Sequence, residues 1–413
     1  MIAVCLPVCL VAAVCLWTIL PSVSNVVDAT DLMAGVTANP VGVQNYLAEQ
    51  SETATDFAIR LFKEASKDGG NVLLSPLSVM SVLAMTANGA EGDTLRQMED
   101  VLGMTRDEMN LFIYSYVNTL PQSDYYKLKV SNSIWINENT GLVAKQDFLQ
   151  TNADYYGAGV FKLPFNKKAE KMINDWTHES TDGMVPKIID DIDPNSVTYL
   201  INALVFEAIW DDMYEKSSVK EGTFTKEDGT EQKAEFMYAT DEKYIEDELA
   251  TGFVKYYLAN KYAFVALLPN EGVSLDEYIH SLDSTKICEM LDSPIHTAVY
   301  TAIPKFETEY SVNMNDVLSA MGMTDAFDSV KADFSGIGDA ELYIGDVVHK
   351  THIIVNEKGT KAGAATSVEL NYKGMLDEHD PRQVYLDRPF VYMIIDCDND
   401  LPFFIGTMTD ING

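Results

Sequence analysis

The stretch Glu357-Lys-Gly-Thr-Lys-Ala-Gly-Ala-Ala-Thr-Ser-Val-Glu-Leu370 follows, one residue on, the apolar run Val347 to Val355 (VVHKTHIIV). That run reads as a buried strand. A strand is expected to end at a turn and to stay polar beyond it. This one keeps small, β-compatible residues and threonine, and it carries no proline. At period two, Thr360, Ala362, Ala364, Thr366, Val368 and Leu370 share one face, while Lys361, Gly363, Ala365, Ser367 and Glu369 share the other. One face can be buried and the other solvated, so the segment is a strand that stands ready to enter a sheet. A flexible Gly/Ala loop tip is the plainer reading, and alternation alone does not exclude it.

Working outward, the pattern Glu-x-Gly-Thr-x-Ala-(small)-Ala-Ala-Thr resembles the hinge of the serpin reactive-centre loop. Other segments extend the resemblance in order: Asn71-Val-Leu-Leu-Ser-Pro-Leu-Ser78, Leu95-Arg-Gln-Met98, Ile173-Asn-Asp-Trp176, Asn202-Ala-Leu-Val-Phe206 with Trp210, and Pro304-Lys-Phe306. Met321-Gly-Met-Thr-Asp-Ala-Phe327, His349-Lys350, Arg388-Pro-Phe390 and Phe404-Ile-Gly406 complete it. It covers roughly residues 52 to 411, and the chain is identified as similar to the inhibitory type of that family. The implied fold is α+β, a helical bundle with three β-sheets and an exposed reactive-centre loop at about 357–387. Loop insertion and released strain are established for serpins as a group.

The resemblance implies a mechanism. A serine protease cleaves the loop, the freed segment enters the largest sheet as a new strand, and the acyl-linked protease is carried along. The hinge residues are then Glu357, Gly359, Thr360, Ala362, Gly363, Ala364, Ala365 and Thr366. None of the inward-facing ones is bulky, charged or proline, and Thr360 can be buried where a charge could not. Ser75, Ser78, Asn202 and His349 correspond to a polar cluster beneath the parting strands, although helix capping and routine core hydrogen bonding are ordinary roles for them. Trp210 corresponds to the aromatic where insertion begins, near Glu357. Two departures stand out: Lys361 replaces a frequent acidic residue, and Glu207-Ala208 replaces the usual Lys-Gly, which leaves charge pairing at that opening in doubt.

Family spacing puts the scissile bond at Lys373-Gly374, which suits a trypsin-like target. The stretch from Gly374 to Arg388 is longer than in common inhibitors, so Tyr372, Met375 or Leu376 are alternatives suited to chymotrypsin- or elastase-like enzymes, with Arg382 more remote. Two other functions stay open: a non-inhibitory binding or carrier protein, and a cross-class inhibitor of papain-like cysteine proteases. The expected partner is a target serine protease in a covalent acyl complex, with the inhibitor itself a monomer.

The remaining sequence narrows the classes. The chain has 413 residues, 47% of them hydrophobic, enough for one large core, and no Pro/Ser/Gly-rich linker splits it. No Gly-x-Ser-x-Gly elbow, His-Glu-x-x-His pair or phosphate-cradling glycine loop occurs, and His178-Glu179 lacks a second histidine. An enzyme, a cofactor and a metal are therefore not expected. The net charge of −34 argues against nucleic acid, anionic membranes and glycosaminoglycans as partners.

Met1 to Leu20 is uncharged and apolar, and Pro21-Ser-Val-Ser24 offers small residues for a signal peptidase. Residues 1–24 are expected to be a secretory signal or an apolar anchor, placing the protein outside the cell or on its surface. Cys5, Cys9 and Cys15 lie there, leaving Cys288 and Cys397 as free, semi-buried thiols. Residues 25–51 form a lead-in to the domain at 52–411. Within it, Phe57 to Ala65 shows helical spacing stopped at Gly69-Gly70. Ser75-Pro76 offers an N-cap with proline at the first turn, for an all-apolar helix to Ala87 ended by Gly89. Val197 to Trp210 reads as a strand covered on both faces. Further strands are expected at Val130–Ile136, Tyr262–Leu268, Ala298–Ile303 and Tyr392–Ile395.

Overall fold

The computed structural model describes residues 29–43, 48–121, 123–360 and 381–412. Two sheets and a set of helices make up this part of the chain. In the large sheet, β1 (Thr30–Asp31), β3 (Tyr126–Asn137), β4 (Gly159–Leu163), β5 (Thr198–Ile209), β11 (Phe306–Asn313), β12 (Asp346–Asn356) and β13 (Gly359–Thr360) lie in the order β1-β4-β3-β5-β13-β12-β11. The second sheet contains β2 (Val72–Leu74), β6 (Val219–Thr225), β7 (Glu231–Glu246), β8 (Ala250–Tyr256), β9 (Tyr262–Pro269), β10 (Ile295–Pro304), β14 (Arg382–Tyr385), β15 (Phe390–Asp396) and β16 (Leu401–Met408). The helices are α1 (Ala48–Ala65), α2 (Pro76–Ala87), α3 (Gly92–Leu102), α4 (Arg106–Thr119), α5 (Gln146–Tyr156), α6 (Lys167–Ser180), α7 (Leu275–Ser281), α8 (Ser284–Asp292) and α9 (Asn315–Ala320).

Where three sheets were expected, hydrogen bonding among the described residues joins two of them. The long strand β7 pairs with β6 through residues 231–237, with β10 through 236–244 and with β8 through its last four residues, 243–246, so one ladder runs through both. The other strand and helix expectations hold within a few residues, except that α1 begins at Ala48, nine residues before Phe57 and inside the expected lead-in. β5 is buried at all but two positions, as an apolar run covered on both faces should be. Every residue of α2 is buried, because β3 and β5 of the large sheet, β16 and the helices α1, α3, α4 and α5 pack around it.

Two details differ from the reading of the sequence. Ser75 precedes Pro76 at the first turn of α2, but its hydroxyl makes no capping bond. Gly89 lies beyond the cap residue Asn88; its role is contact, since a Cβ there would sit 2.1 Å from Cγ1 of Ile337.

The lead-in has a place. Thr30 and Asp31 pair with Lys162 and Phe161 at the edge of the large sheet. Beyond them, the Gln150 side chain donates to the Thr37 carbonyl at 2.9 Å and the Tyr114 hydroxyl to that of Val41 at 3.0 Å. The chain is thereby laid across α5 and α4 before α1 begins.

The two faces of the large sheet are covered unequally. Its back lies on the main core. The lower part of its front carries α6 and the segment after it, which bury Trp135, Phe161, Ile173, Trp176, Ile188 and Ile201 in a second cluster. The Trp135 ring stacks on Phe161 at 4.4 Å and meets Trp176 edge-on. Above this strap, Lys127 and Lys129 on β3 both pair with Asp182, just past the end of α6. The Lys127 bond, first of all, holds the Asp182 carboxyl below its ordinary pKa.

Candidate functional site

The site is a seam between β5 and β12. At the lower end these strands pair in parallel, Tyr199 to Asn202 against Asp346 to His349. At the upper end β13 separates them: Gly359 and Thr360 pair antiparallel with Ile209 and Ala208 on one side, and with Asn356 and Val355 on the other. Between these points, among the described residues, 203–207 and 350–354 have no ladder partner across the seam, although β3 and β11 satisfy their outer edges. Among the described residues, then, backbone groups inside the sheet lack ladder partners, and such groups are available to a further strand.

The upper end depends on a missing side chain. Gly359 has φ +154, and a Cβ there would lie 2.0 Å from the Ala208 carbonyl oxygen. Thr360 is 1% exposed, and its hydroxyl lies 2.5 Å from that of Tyr257. Burial pushes the Tyr257 phenol far above its ordinary pKa, so it remains a neutral hydrogen-bonding group. The Tyr257 ring stacks on Trp210 at 4.4 Å with 7° between planes. Thus the three groups form one column: indole, phenol, threonine.

Trp210 also anchors the root of the loop. Its Nε1 donates to the Asn356 carbonyl at 2.8 Å and its amide to that of Lys358 at 3.0 Å. The Tyr214 amide donates to the Glu357 carbonyl at 3.0 Å. The Glu357 carboxylate pairs with Lys305 at 3.1 Å, and its pKa is lowered first by its own backbone amide and further by Lys305. Charge pairing at the opening, left in doubt by Glu207-Ala208, is supplied from elsewhere. Lys255, 3% exposed, pairs with Asp241 at 3.0 Å and lies 4.7 Å from the Tyr214 ring centre and 5.9 Å from that of Trp210.

Below the seam lies the polar cluster. The Ser78 hydroxyl donates to Asn202 Oδ1 at 2.5 Å, and Asn202 Nδ2 returns bonds to the Ser78 carbonyl at 2.8 Å and Asn132 Oδ1 at 2.6 Å. His349 spans the two strands. Its Nε2 accepts from the Ser75 amide at 3.1 Å, and Nδ1 lies 3.3 Å from Asn202 Oδ1. Burial lowers the imidazole pKa to about 3, which makes it neutral, with Nδ1 as the donor. Ser75 enters through its backbone only; its buried hydroxyl has no hydrogen-bond partner among the described residues.

The structure therefore brings together Glu357, Gly359, Thr360 and Trp210 above the seam, and Ser75, Ser78, Asn202 and His349 below it. Ala362, Gly363, Ala364, Ala365, Thr366, Lys373 and Gly374 lie outside the described residues, as do the alternatives Tyr372, Met375 and Leu376. Tyr257, Lys255 and Asn132 went unseen in the sequence. Asn132 is detectable as a polar residue in the strand pairing with Asn202, but nothing local marks Tyr257. Cys288 and Cys397 are free, with thiols pushed up by burial to about 11 and about 12. Among the described residues, no cluster of three or more His, Cys, Asp or Glu side chains could hold a metal ion.

An α+β body whose main sheet has two strands paired at one end and parted by a two-residue strand at the other is a defined class, and comparison with known proteins identifies it. The family model described as serpin (serine protease inhibitor) matches residues 52–411. A serpin-like protein of Thermococcus kodakarensis is 31% identical over 361 residues, covering 85% of this chain and 83% of its own. Among solved structures, the thermophilic serpin tengpin in its native state gives a TM-score of 0.88 at 45% identity, covering 93% of this chain and all of that one. Tengpin in its latent state gives 0.77 at 44% identity, covering 91% of this chain and all of that one. The chain belongs to the serpin family.

Proposed function

We propose that this chain is a suicide-substrate inhibitor of serine endopeptidases, trapping the acyl-enzyme by inserting its cleaved loop into the large sheet. The open seam, with Gly359 and Thr360 already seated at its head, is the observation that supports this reading. Extending their register downward sets Lys361 opposite Glu207 and Ile354, Ala362 opposite Phe206 and Ile353, and Ala364 opposite Leu204 and Thr351. Thr366 then arrives opposite Asn202 and His349, where the entering strand must break the parallel pairing of β5 with β12. The inward positions meet buried side chains, so small residues there are what packing demands. Lys361 falls on the front face opposite Glu207, so the two departures from family pattern are complementary, an exchanged charge pair.

The energetics favour insertion. Each inserted residue contributes about 1 kcal/mol net in ladder hydrogen bonds, so ten residues yield on the order of 10 kcal/mol. That rivals the entire stability of an ordinary domain and suffices to displace an attached protease.

The proposed scissile bond is Lys373-Gly374, with a trypsin-like target. We further propose that the protein acts outside the cell, as a monomer, without a cofactor. Incubation with trypsin tests the reading: a covalent adduct that survives boiling in detergent is expected, and mass spectrometry of the released peptide should place the cut after Lys373. Clean cleavage by trypsin, chymotrypsin and elastase with no adduct would instead mark a carrier.

A further inference from the structure

We propose that Tyr257 is a positioning residue for loop insertion, its hydroxyl holding Thr360 as the first residue of the entering strand before any cleavage. The inference rests on the inhibitory reading for its consequence, but not for its geometry.

Three observations carry it. The Tyr257 and Thr360 hydroxyls, both buried, lie 2.5 Å apart, and neither has another hydrogen-bond partner among the described residues. Tyr257 cannot swing away to follow a departing loop, because its ring is stacked on Trp210 and meets Phe206 edge-on at 5.4 Å. Trp210 in turn grips the carbonyls of Asn356 and Lys358, so the phenol is fixed relative to the root of the segment it must hold. Withdrawal of Thr360 leaves a buried phenol unsatisfied, which is the expensive half of losing a hydrogen bond.

The function of such a hold is kinetic. Strand entry from a free end must first fix several residues for little return, whereas an engaged end has already passed that step. Each freed residue can then add to an existing ladder. Trapping competes with deacylation of the bound protease, so a slower start diverts molecules to plain cleavage. Gly359 belongs to the same device, since its missing Cβ lets the backbone approach Ala208.

The test is hydrogen exchange, read by mass spectrometry on peptides covering 354–360 of the intact, protease-free protein. Tyr257→Phe keeps the ring stack and removes only the hydroxyl; exchange at 359–360 is expected to accelerate about tenfold. Peptides covering 199–202 and 346–349 serve as controls and should not change. In the double variant Tyr257→Phe/Thr360→Val neither buried hydroxyl remains, and exchange should return to within about threefold of the parent, since removing both partners is nearly neutral. Less than threefold acceleration in Tyr257→Phe, or a double variant at least as fast as the single, overturns the proposal. No protease is present, so failure to form an adduct in a separate assay refutes the inhibitory reading and leaves this result intact. Where adducts form, Tyr257→Phe should release several-fold more cleaved inhibitor per trapped protease.

Discussion

His349 and Gly359 concentrate the physics of the seam in two side chains, one of them absent. His349 is neutral because burial opposes its charge, so its pKa falls from 6.5 to about 3. The unfolded chain therefore binds this proton while the folded chain does not, and stability is lost as pH falls from 6.5 towards 3. The slope approaches about 1.4 kcal/mol per pH unit from this group alone. In urea unfolding at pH 6 and pH 4.5, His349→Gln should be less stable than the parent at pH 6, and the gap should narrow by 1–2 kcal/mol or so at pH 4.5. Protonation also removes the acceptor that Nε2 offers to Ser75. Gly359→Ala meets both a carbonyl oxygen at 2.0 Å and an unfavourable φ of +154. It should undock the hinge, seen as fast exchange at 359–360, and, on the proposed mechanism, leave cleavage by trypsin without a detergent-stable adduct.

At the scale of elements, the seam and the strap across its lower front set the order of events. Thr360→Arg puts a charge where Val355, Ala208 and Tyr257 leave no water, a cost of several kcal/mol. Cleavage by trypsin should continue while the detergent-stable adduct disappears from the gel. Glu207→Lys should act later: it opposes Lys361 only once the strand is in. The cleaved form is expected to melt about 1–2 °C lower at low salt, with the intact form unaffected and the difference erased by high salt.

How much of this was legible in sequence follows from the range of the forces. The buried central strand and the all-apolar helix α2 were readable because apolar runs are local signals, whereas the hinge came from the family resemblance, and of it only Glu357, Gly359 and Thr360 lie among the described residues. Ser78, Asn202 and His349 came from family correspondence, and only the fold explains why they meet: Ser78 and Asn202 are 124 positions apart. Tyr257 was invisible because its role arises from contact with Thr360, 103 positions away, and an aromatic at the end of an apolar run ordinarily reads as core. The expected capping by Ser75 failed because the tertiary contact with His349 engages its amide and leaves its hydroxyl aside.

For the whole molecule, the charge of −34 should speed encounter with basic proteases and slow it with acidic ones, through long-range attraction and repulsion. Association with a cationic trypsin should therefore slow as salt rises from 20 to 500 mM or so, while the number of inhibitors consumed per protease stays fixed. In the body itself, residues 203–207 and 350–354 of the main sheet have no ladder partner across the seam among the described residues, and the proposed inhibition requires the segment after Thr360 to fill it. Differential scanning calorimetry of the intact chain beside the chain nicked once in its loop measures that directly. With on the order of 10 kcal/mol gained on insertion, the nicked form should melt roughly 10–15 °C higher. A nicked form that melts at the same temperature or below contradicts the stored strain on which inhibition depends.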